Sequence, residues 1–180
     1  MRINIEESAV LIIDIQEKLF PHINDHNQLA RNTEILIKGL KSLELPFLIT
    51  EQYVKGLGST IPVLSNVLQE YSAIEKMSFS CCDELSFGKE LEKLNKKFII
   101  IAGIEAHVCV LQTAIDLMEK GYQAVVIEDC VSSRSENDKN IAIQRMRQEG
   151  VIISTYESIL FELTRLSGTD KFKAISKLVK

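Results

Sequence analysis

The sequence predicts a three-layer α/β domain, in which helices cover both faces of a mostly parallel β-sheet. Short apolar runs rich in β-branched residues alternate with segments of helical periodicity along the 180 residues. The runs are almost continuously apolar, as expected of parallel strands that are buried on both faces. Because no repeat or Pro/Gly/Ser-rich linker interrupts the pattern, we expect residues 1–180 to form a single domain with right-handed crossovers.

The strands and helices are predicted in order from these patterns. The strand candidates are residues 9–15, 47–50, 98–103, 124–129 and 151–155, with 72–76 as a weaker one. The helix candidates are residues 27–45, 84–96, 107–120, 137–149 and 169–180. Leucines at helical spacing mark the first two of these helices. Gly121 and Gly150 stand where two helices should end before the next strand.

Composition and charge exclude several classes of protein. A net charge of −4 with scattered Lys and Arg residues argues against binding to nucleic acid or to an anionic membrane surface. No apolar run reaches the roughly 18 residues that a transmembrane helix needs. The N-terminus lacks the apolar segment of a secretory signal. The four cysteines are too few for a disulfide framework, so we expect a cytoplasmic protein.

Polar residues stand at the ends of most predicted strands. They are Asp14, Glu51, Gln52, Lys76, Cys109 and Asp129. In a doubly wound sheet, ligands bind beyond the carboxyl ends of the strands, where such residues meet. The sequence therefore predicts a functional site at this edge of the sheet.

Cys109 is the residue whose position in the sequence most strongly indicates a catalytic role. It falls in the first turn of a predicted helix, where unpaired N–H groups and the helix dipole favour a thiolate. We therefore expect a lowered pKa, and alkylation of Cys109 before the other cysteines. The same N–H groups can stabilise an oxyanion during acyl transfer. A nucleophilic cysteine also needs a base and a group that orients it, and Asp14 and Lys76 are candidates for these roles.

Each candidate also has a purely structural interpretation. Asp14 could cap a turn, Lys76 could be a solvated surface residue, and Asp129 could organise the polar loop that follows it. Cys81, Cys82 and Cys130 are expected to pack as small apolar residues. His107 is two residues from Cys109, a spacing at which helical side chains do not face each other, so a Cys/His dyad is disfavoured.

Four motifs together resemble the isochorismatase-like cysteine hydrolases, and most closely the isochorismatase-domain-containing proteins. They are LIIDIQ, TEQYVKGLGST, EKMSFS and IAGIEAHVCV, and the resemblance runs from about residue 8 to 160 in motif order and spacing. It implies a six-stranded parallel sheet and a homo-oligomer. Apolar residues on the helix after 107, namely Val108, Val110, Leu111, Leu117 and Met118, also suggest an oligomer interface.

The resemblance also implies the roles of individual residues. Asp14, Lys76 and Cys109 would form the catalytic triad. A cis peptide bond between Ile104 and Glu105 would direct the Glu105 N–H beside that of Cys109, which completes an oxyanion hole. The side chains expected to line the substrate pocket are Phe20, Gln52, Tyr53, Phe79 and His107.

Departures from the family narrow the expected chemistry. The nicotinamidase branch carries an Asp-x-His metal motif after the second strand, where this chain has Glu51, Gln52 and Tyr53. We therefore expect neither a metal nor another cofactor. Relatives that hydrolyse isochorismate commonly lack the cysteine, so Cys109 favours a small amide or N-carbamoyl substrate.

Three other functions are weighed against hydrolysis of a C–N bond. One is a scaffold or binding protein that keeps the fold but has little turnover. A redox sensor using Cys81 and Cys82 is disfavoured because adjacent cysteines rarely bridge without strain. A nucleotide-binding enzyme is disfavoured because no strand is followed by a Gly-rich phosphate loop.

Overall fold

The fold is a parallel β-sheet between two layers of helices, described by a computed structural model that covers residues 1–180. The strands are β1 (Ser8–Ile13), β2 (Phe47–Gln52), β3 (Ala73–Lys76), β4 (Phe98–Ile104), β5 (Gln123–Ser132) and β6 (Ile152–Ser154). They lie in the order β3-β2-β1-β4-β5-β6, and every neighbouring pair is parallel. The predicted three-layer architecture with a six-stranded sheet is confirmed.

Eight helices connect and cover the strands. They are α1 (His26–Ser42), α2 (Val54–Leu57), α3 (Pro62–Leu68), α4 (Leu85–Leu94), α5 (Leu111–Glu119), α6 (Glu136–Gln148), α7 (Tyr156–Thr164) and α8 (Asp170–Leu178). Helices α1, α3, α7 and α8 pack on one face of the sheet and α4, α5 and α6 on the other. None of the helices combines the length and apolar composition that a membrane span requires.

The strands form because their side chains are buried on both faces of the sheet. All six residues of β1 and all seven of β4 are buried, which matches their continuous apolar sequence. Strand β1 lies between β2 and β4 at the centre of the sheet. The carboxyl ends of β1, β2, β3 and β4 therefore meet at one edge, and Asp14 follows β1 there with a φ of 52°.

The apolar residues of α5 that suggested an oligomer interface are mostly inside the chain itself. Val110, Leu111 and Leu117 are buried, and Val108 and Met118 are half-buried against the same core. The excess of apolar residues is explained by the close packing of this helix on β4 and β5. Val110, Leu111 and Leu117 are therefore not an oligomer interface, whereas Val108 and Met118 keep part of their surface accessible.

Candidate active site

Asp14 and Lys76 form a buried ion pair at the carboxyl edge of the sheet. The Lys76 Nζ lies 2.6 Å from Asp14 Oδ2, and the two side chains are 0% and 1% exposed. The same ammonium donates to the backbone oxygens of Ser78 at 3.0 Å and Phe79 at 3.1 Å. Lys76 therefore has one ion-pair partner and two backbone acceptors, so it is not a solvated surface lysine.

The pKa values of both members of the pair are shifted from their ordinary values. Burial raises the pKa of Asp14 above its ordinary value of 3.8, although the charge of Lys76 and a hydrogen bond from Thr50 oppose the rise. The Thr50 hydroxyl donates to Asp14 Oδ1 at 2.7 Å. For Lys76, burial alone would lower the pKa, but the charge and hydrogen bonding of Asp14 together with the nearby Cys109 and Cys81 raise it. Asp14 is thus a stronger base than an exposed aspartate, while Lys76 keeps its charge.

Cys109 lies in a single π-helical turn, Ala106–Val110, which joins β4 to α5. The backbone N–H groups of Val108 and Val110 both donate to the Glu105 oxygen, at 3.1 and 3.2 Å. Single π-turns are rare and occur frequently at functional sites. Cys109 is only 4% exposed, and its thiol donates to Gln52 Oε1 at 3.2 Å. The turn thus brings Cys109 to the same sheet edge as Asp14 and Lys76.

The expected low pKa of Cys109 is wrong. Burial and the nearby carboxylate of Asp14 raise its pKa to about 12, and the positive charge of Lys76 only partly opposes them. Burial outweighs the helix terminus because a thiolate loses its hydration at this site. Cys109 is therefore a thiol at neutral pH, and its reaction requires a base that removes the proton.

The turn before Cys109 is tethered to the loop that follows β5. Glu105 Oε2 accepts hydrogen bonds from Arg134 N at 3.0 Å and Arg134 Nε at 3.1 Å. His107 Nδ1 lies 2.8 Å from the hydroxyl of the buried Ser133. His107 thus binds the loop through a ring nitrogen, which gives it a positioning role that the sequence did not predict.

The backbone of Glu105 presents a free donor at this turn. The peptide bond between Ile104 and Glu105 is cis. The Glu105 N–H makes no hydrogen bond within the chain. A thiol, a carboxylate base and a backbone donor are the groups that nucleophilic catalysis at a carbonyl carbon requires.

The other residues predicted to line the pocket have different environments. Tyr53 and Phe79 follow β2 and β3 and are 51% and 53% exposed, so they lie at the rim of this edge. Phe20 is half-buried, with its ring 5.1 Å from the ring of His26 in an edge-on arrangement. Only Gln52 among the predicted lining residues has a hydrogen bond to Cys109.

Gln16 is an interaction partner of the site that the sequence did not reveal. It is fully buried, and its Oε1 accepts from the Gln52 N–H at 2.8 Å. Its Nε2 donates to the Gln52 oxygen at 2.9 Å and to the Gly58 oxygen at 2.6 Å. Gln16 therefore fixes the backbone of Gln52. The motif LIIDIQ contains this residue, but nothing local to the motif identifies a partner 36 positions away.

The remaining acidic and thiol candidates have structural roles. Glu51 Oε1 accepts from the N–H and the hydroxyl of Thr60, at 2.7 and 2.8 Å. Asp129 lies within β5, and its carboxylate accepts a hydrogen bond at 2.9 Å from the N–H of Tyr156, the first residue of α7. Cys81 and Cys130 are buried as predicted. No three His, Cys, Asp or Glu side chains converge as a metal site would require.

Gly103 controls the position of Asp14 through close strand packing. It has a φ of 155°, and a Cβ there would lie 2.5 Å from the backbone oxygen of Ile13. We expect Gly103→Ala to displace the end of β1 and to lower the free energy of unfolding by about 1–3 kcal/mol. Denaturant unfolding measures this loss. Gly88→Ala in α4 is the matched control, because no atom lies within 4 Å of its Cβ position; equal effects of the two substitutions would contradict the packing argument.

Proteins of one family are similar to this chain over nearly its whole length. The family model of the isochorismatase domain matches residues 8–158. Isochorismatase family protein 1B of Dictyostelium discoideum is 41% identical over 180 residues, covering 97% of this chain and 87% of that protein. The structure described as MAR1 ribonuclease from Caenorhabditis elegans has a TM-score of 0.93 at 39% identity, covering 99% of this chain and 92% of that one.

A bacterial protein of lower sequence identity has the same fold. The YcaC gene product of Escherichia coli, described as an octameric hydrolase of unknown specificity, has a TM-score of 0.93 at 26% identity. The alignment covers 99% of this chain and 89% of that one. The match to the family over most of the sequence, together with these relatives, shows that the chain belongs to the isochorismatase family of hydrolases.

Proposed function

We propose that the protein is a metal-independent cysteine hydrolase that cleaves a C–N bond in a small amide or N-carbamoyl compound. The observation that carries the proposal is the buried Asp14–Lys76 ion pair beside the Cys109 thiol. A thiol with a pKa of about 12 cannot act alone at neutral pH, but a carboxylate of raised pKa is suited to take its proton. Metal independence is supported by Glu51, whose carboxylate is held by Thr60.

In the first step, the Cys109 sulfur attacks the carbonyl carbon while Asp14 removes the thiol proton. The carbonyl oxygen becomes an oxyanion, which the N–H groups of Glu105 and Cys109 stabilise. The protonated Asp14 then donates its proton to the leaving nitrogen. The C–N bond breaks, the amine departs, and the acyl group remains on Cys109 as a thioester.

In the second step, a water molecule attacks the thioester and Asp14 again acts as the base. The new C–O bond replaces the C–S bond, and the returning proton restores the thiol. Lys76 stays charged throughout, because its ammonium is paired with Asp14 and donates to two backbone oxygens. Its proposed role is to hold Asp14 in place and to limit the energetic cost of negative charge on sulfur.

A panel of substrates tests this function. It contains primary amides, N-carbamoyl amino acids and, because one relative is described as a ribonuclease, a single-stranded RNA. We expect turnover of a small amide or N-carbamoyl compound, loss of that turnover in Cys109→Ala, and normal turnover in Cys130→Ala, whose thiol is fully buried elsewhere. Turnover of RNA alone, or no turnover of any compound, would overturn the proposal; the second result would favour a scaffold protein.

We further propose that the protein acts as a homo-oligomer in the cytoplasm. The octameric E. coli relative supports the oligomer, as do Tyr53, Met77 and Phe79, whose apolar side chains are more than half exposed at one edge. The four free thiols support a reducing compartment. Light scattering at micromolar concentration should give a multiple of the monomer mass, and a compact monomer would contradict the oligomer.

A further inference from the structure

Gln52 places a hydrogen-bond acceptor directly at the nucleophile. Its Oε1 lies 3.2 Å from Cys109 Sγ. Its Nε2 faces the other way and lies 3.4 Å from the backbone oxygen of Met77. The amide therefore presents its oxygen to the thiol and keeps its N–H groups away from it. In the resting protein this oxygen accepts a hydrogen bond from the thiol, whose proton Asp14 must remove before attack.

The backbone of Gln52 is held in place by Gln16. Gln16, which is fully buried, bonds both the N–H and the oxygen of the Gln52 backbone, as a paired amide would. A third bond joins Gln16 to the Gly58 oxygen. These bonds fix the backbone from which the Gln52 side chain extends, and the contact of its Nε2 with the Met77 oxygen leaves Oε1 directed at the thiol.

A hydrogen-bond acceptor beside Cys109 restricts which groups of the substrate can lie next to the sulfur. When sulfur bonds to a carbonyl carbon, the groups attached to that carbon lie close to the sulfur and therefore to Gln52 Oε1. The oxyanion cannot face Oε1, because two oxygen acceptors repel each other. It must face the backbone donors at Glu105 and Cys109. Of the two remaining substituents, a leaving group that carries a hydrogen is favoured beside Gln52, because it can donate that hydrogen to Oε1.

We infer that Gln52 is a specificity-determining residue that selects substrates whose leaving nitrogen carries at least one hydrogen. Primary amides and N-carbamoyl compounds meet this condition, whereas esters and N,N-dialkyl amides do not. Gln52 accepts the hydrogen bond and transfers no proton, so the proton balance with Asp14 is unchanged. This inference rests on the proposed function, because it assumes acyl transfer to Cys109.

The test compares a primary amide with an ester of the same acyl group. The measured quantity is the ratio of their kcat/KM values in wild type and in Gln52→Met, which keeps the length of the side chain but has no acceptor oxygen. We expect the amide-to-ester ratio to fall by about tenfold or more in Gln52→Met, since a hydrogen bond made in the transition state is lost. Gln52→Glu keeps an acceptor and should retain the wild-type preference for the amide.

Control measurements separate this inference from the proposed function. Gln112→Met changes an exposed glutamine on α5 and should leave the ratio unchanged. An unchanged ratio in a folded Gln52→Met protein would overturn the inference while leaving the hydrolase intact. If the primary amide forms no acyl adduct on Cys109 of the wild type, the proposed function itself fails. Thermal unfolding of each variant shows that it is folded.

Discussion

Replacing Asp14 with asparagine should lower kcat for amide hydrolysis by about 10²–10⁴-fold, the usual contribution of a general base. The amide cannot take the thiol proton, and the pKa of Cys109 is too high for appreciable thiolate at neutral pH. In wild type, kcat/KM should fall as the pH is lowered through the pKa of Asp14, which lies above 3.8. This acidic limb should be absent from the residual activity of Asp14→Asn.

The matched control is Asp129→Asn. Asp129, which lies within β5, also has a pKa raised by burial, but its carboxylate accepts a hydrogen bond from the backbone of Tyr156. An asparagine oxygen can accept the same bond, so activity should stay within a few-fold of wild type. If the two asparagine variants are equally active, Asp14 is not the base.

Replacing Lys76 with methionine should have the largest effect on stability. The substitution leaves the Asp14 carboxylate buried without its partner, and removal of one member of a buried ion pair costs about 3–5 kcal/mol. Two backbone oxygens also lose their donor. Because the charge of Lys76 opposes the rise in the Cys109 pKa, alkylation of Cys109 should require still higher pH in this variant. Denaturant unfolding and the pH dependence of alkylation measure the two effects.

An exposed ion pair provides the comparison for Lys76. Lys173 lies 3.0 Å from Asp170, with both side chains largely exposed. Lys173→Ala should therefore change the unfolding free energy by less than about 1 kcal/mol. The double variant Asp14→Asn/Lys76→Met should lose less stability than the sum of its single substitutions, because no charge remains buried. Additive losses would show that the two residues do not interact as the structure describes.

The layers of the fold were predictable because burial leaves a clear sequence signal. Continuous apolar runs identified β1 and β4, and leucine spacing identified α1. Helices α2, α3 and α7 were not predicted. Helices α2 and α3 have only four and seven residues, and α7 follows β6 within two residues, so none shows a separate periodic segment. Strand β5 extends to Ser132 rather than residue 129, because a register shift in its pairing with β4 lets the chain continue.

The site was predictable only in part, because its residues come from separate strands. Parallel topology carries Asp14, Lys76 and Cys109 to one edge, and this follows from where each strand ends. The bonds of Gln16 to Gln52 and of Thr50 to Asp14 depend on contacts 36 residues apart, which no local pattern encodes. The pKa of Cys109 was predicted in the wrong direction, since the depth of burial is a property of the packed structure.

If Cys109 is the nucleophile, a covalent acyl group must form on its sulfur during turnover. The measurement is mass spectrometry of the intact protein and its peptides after rapid acid quenching during turnover of an ester or amide. We expect one acyl group per chain, attached to the peptide that contains Cys109, and none in Cys109→Ala. Turnover that persists in Cys109→Ala, or an acyl group on Cys81, Cys82 or Cys130 instead, would contradict the mechanism.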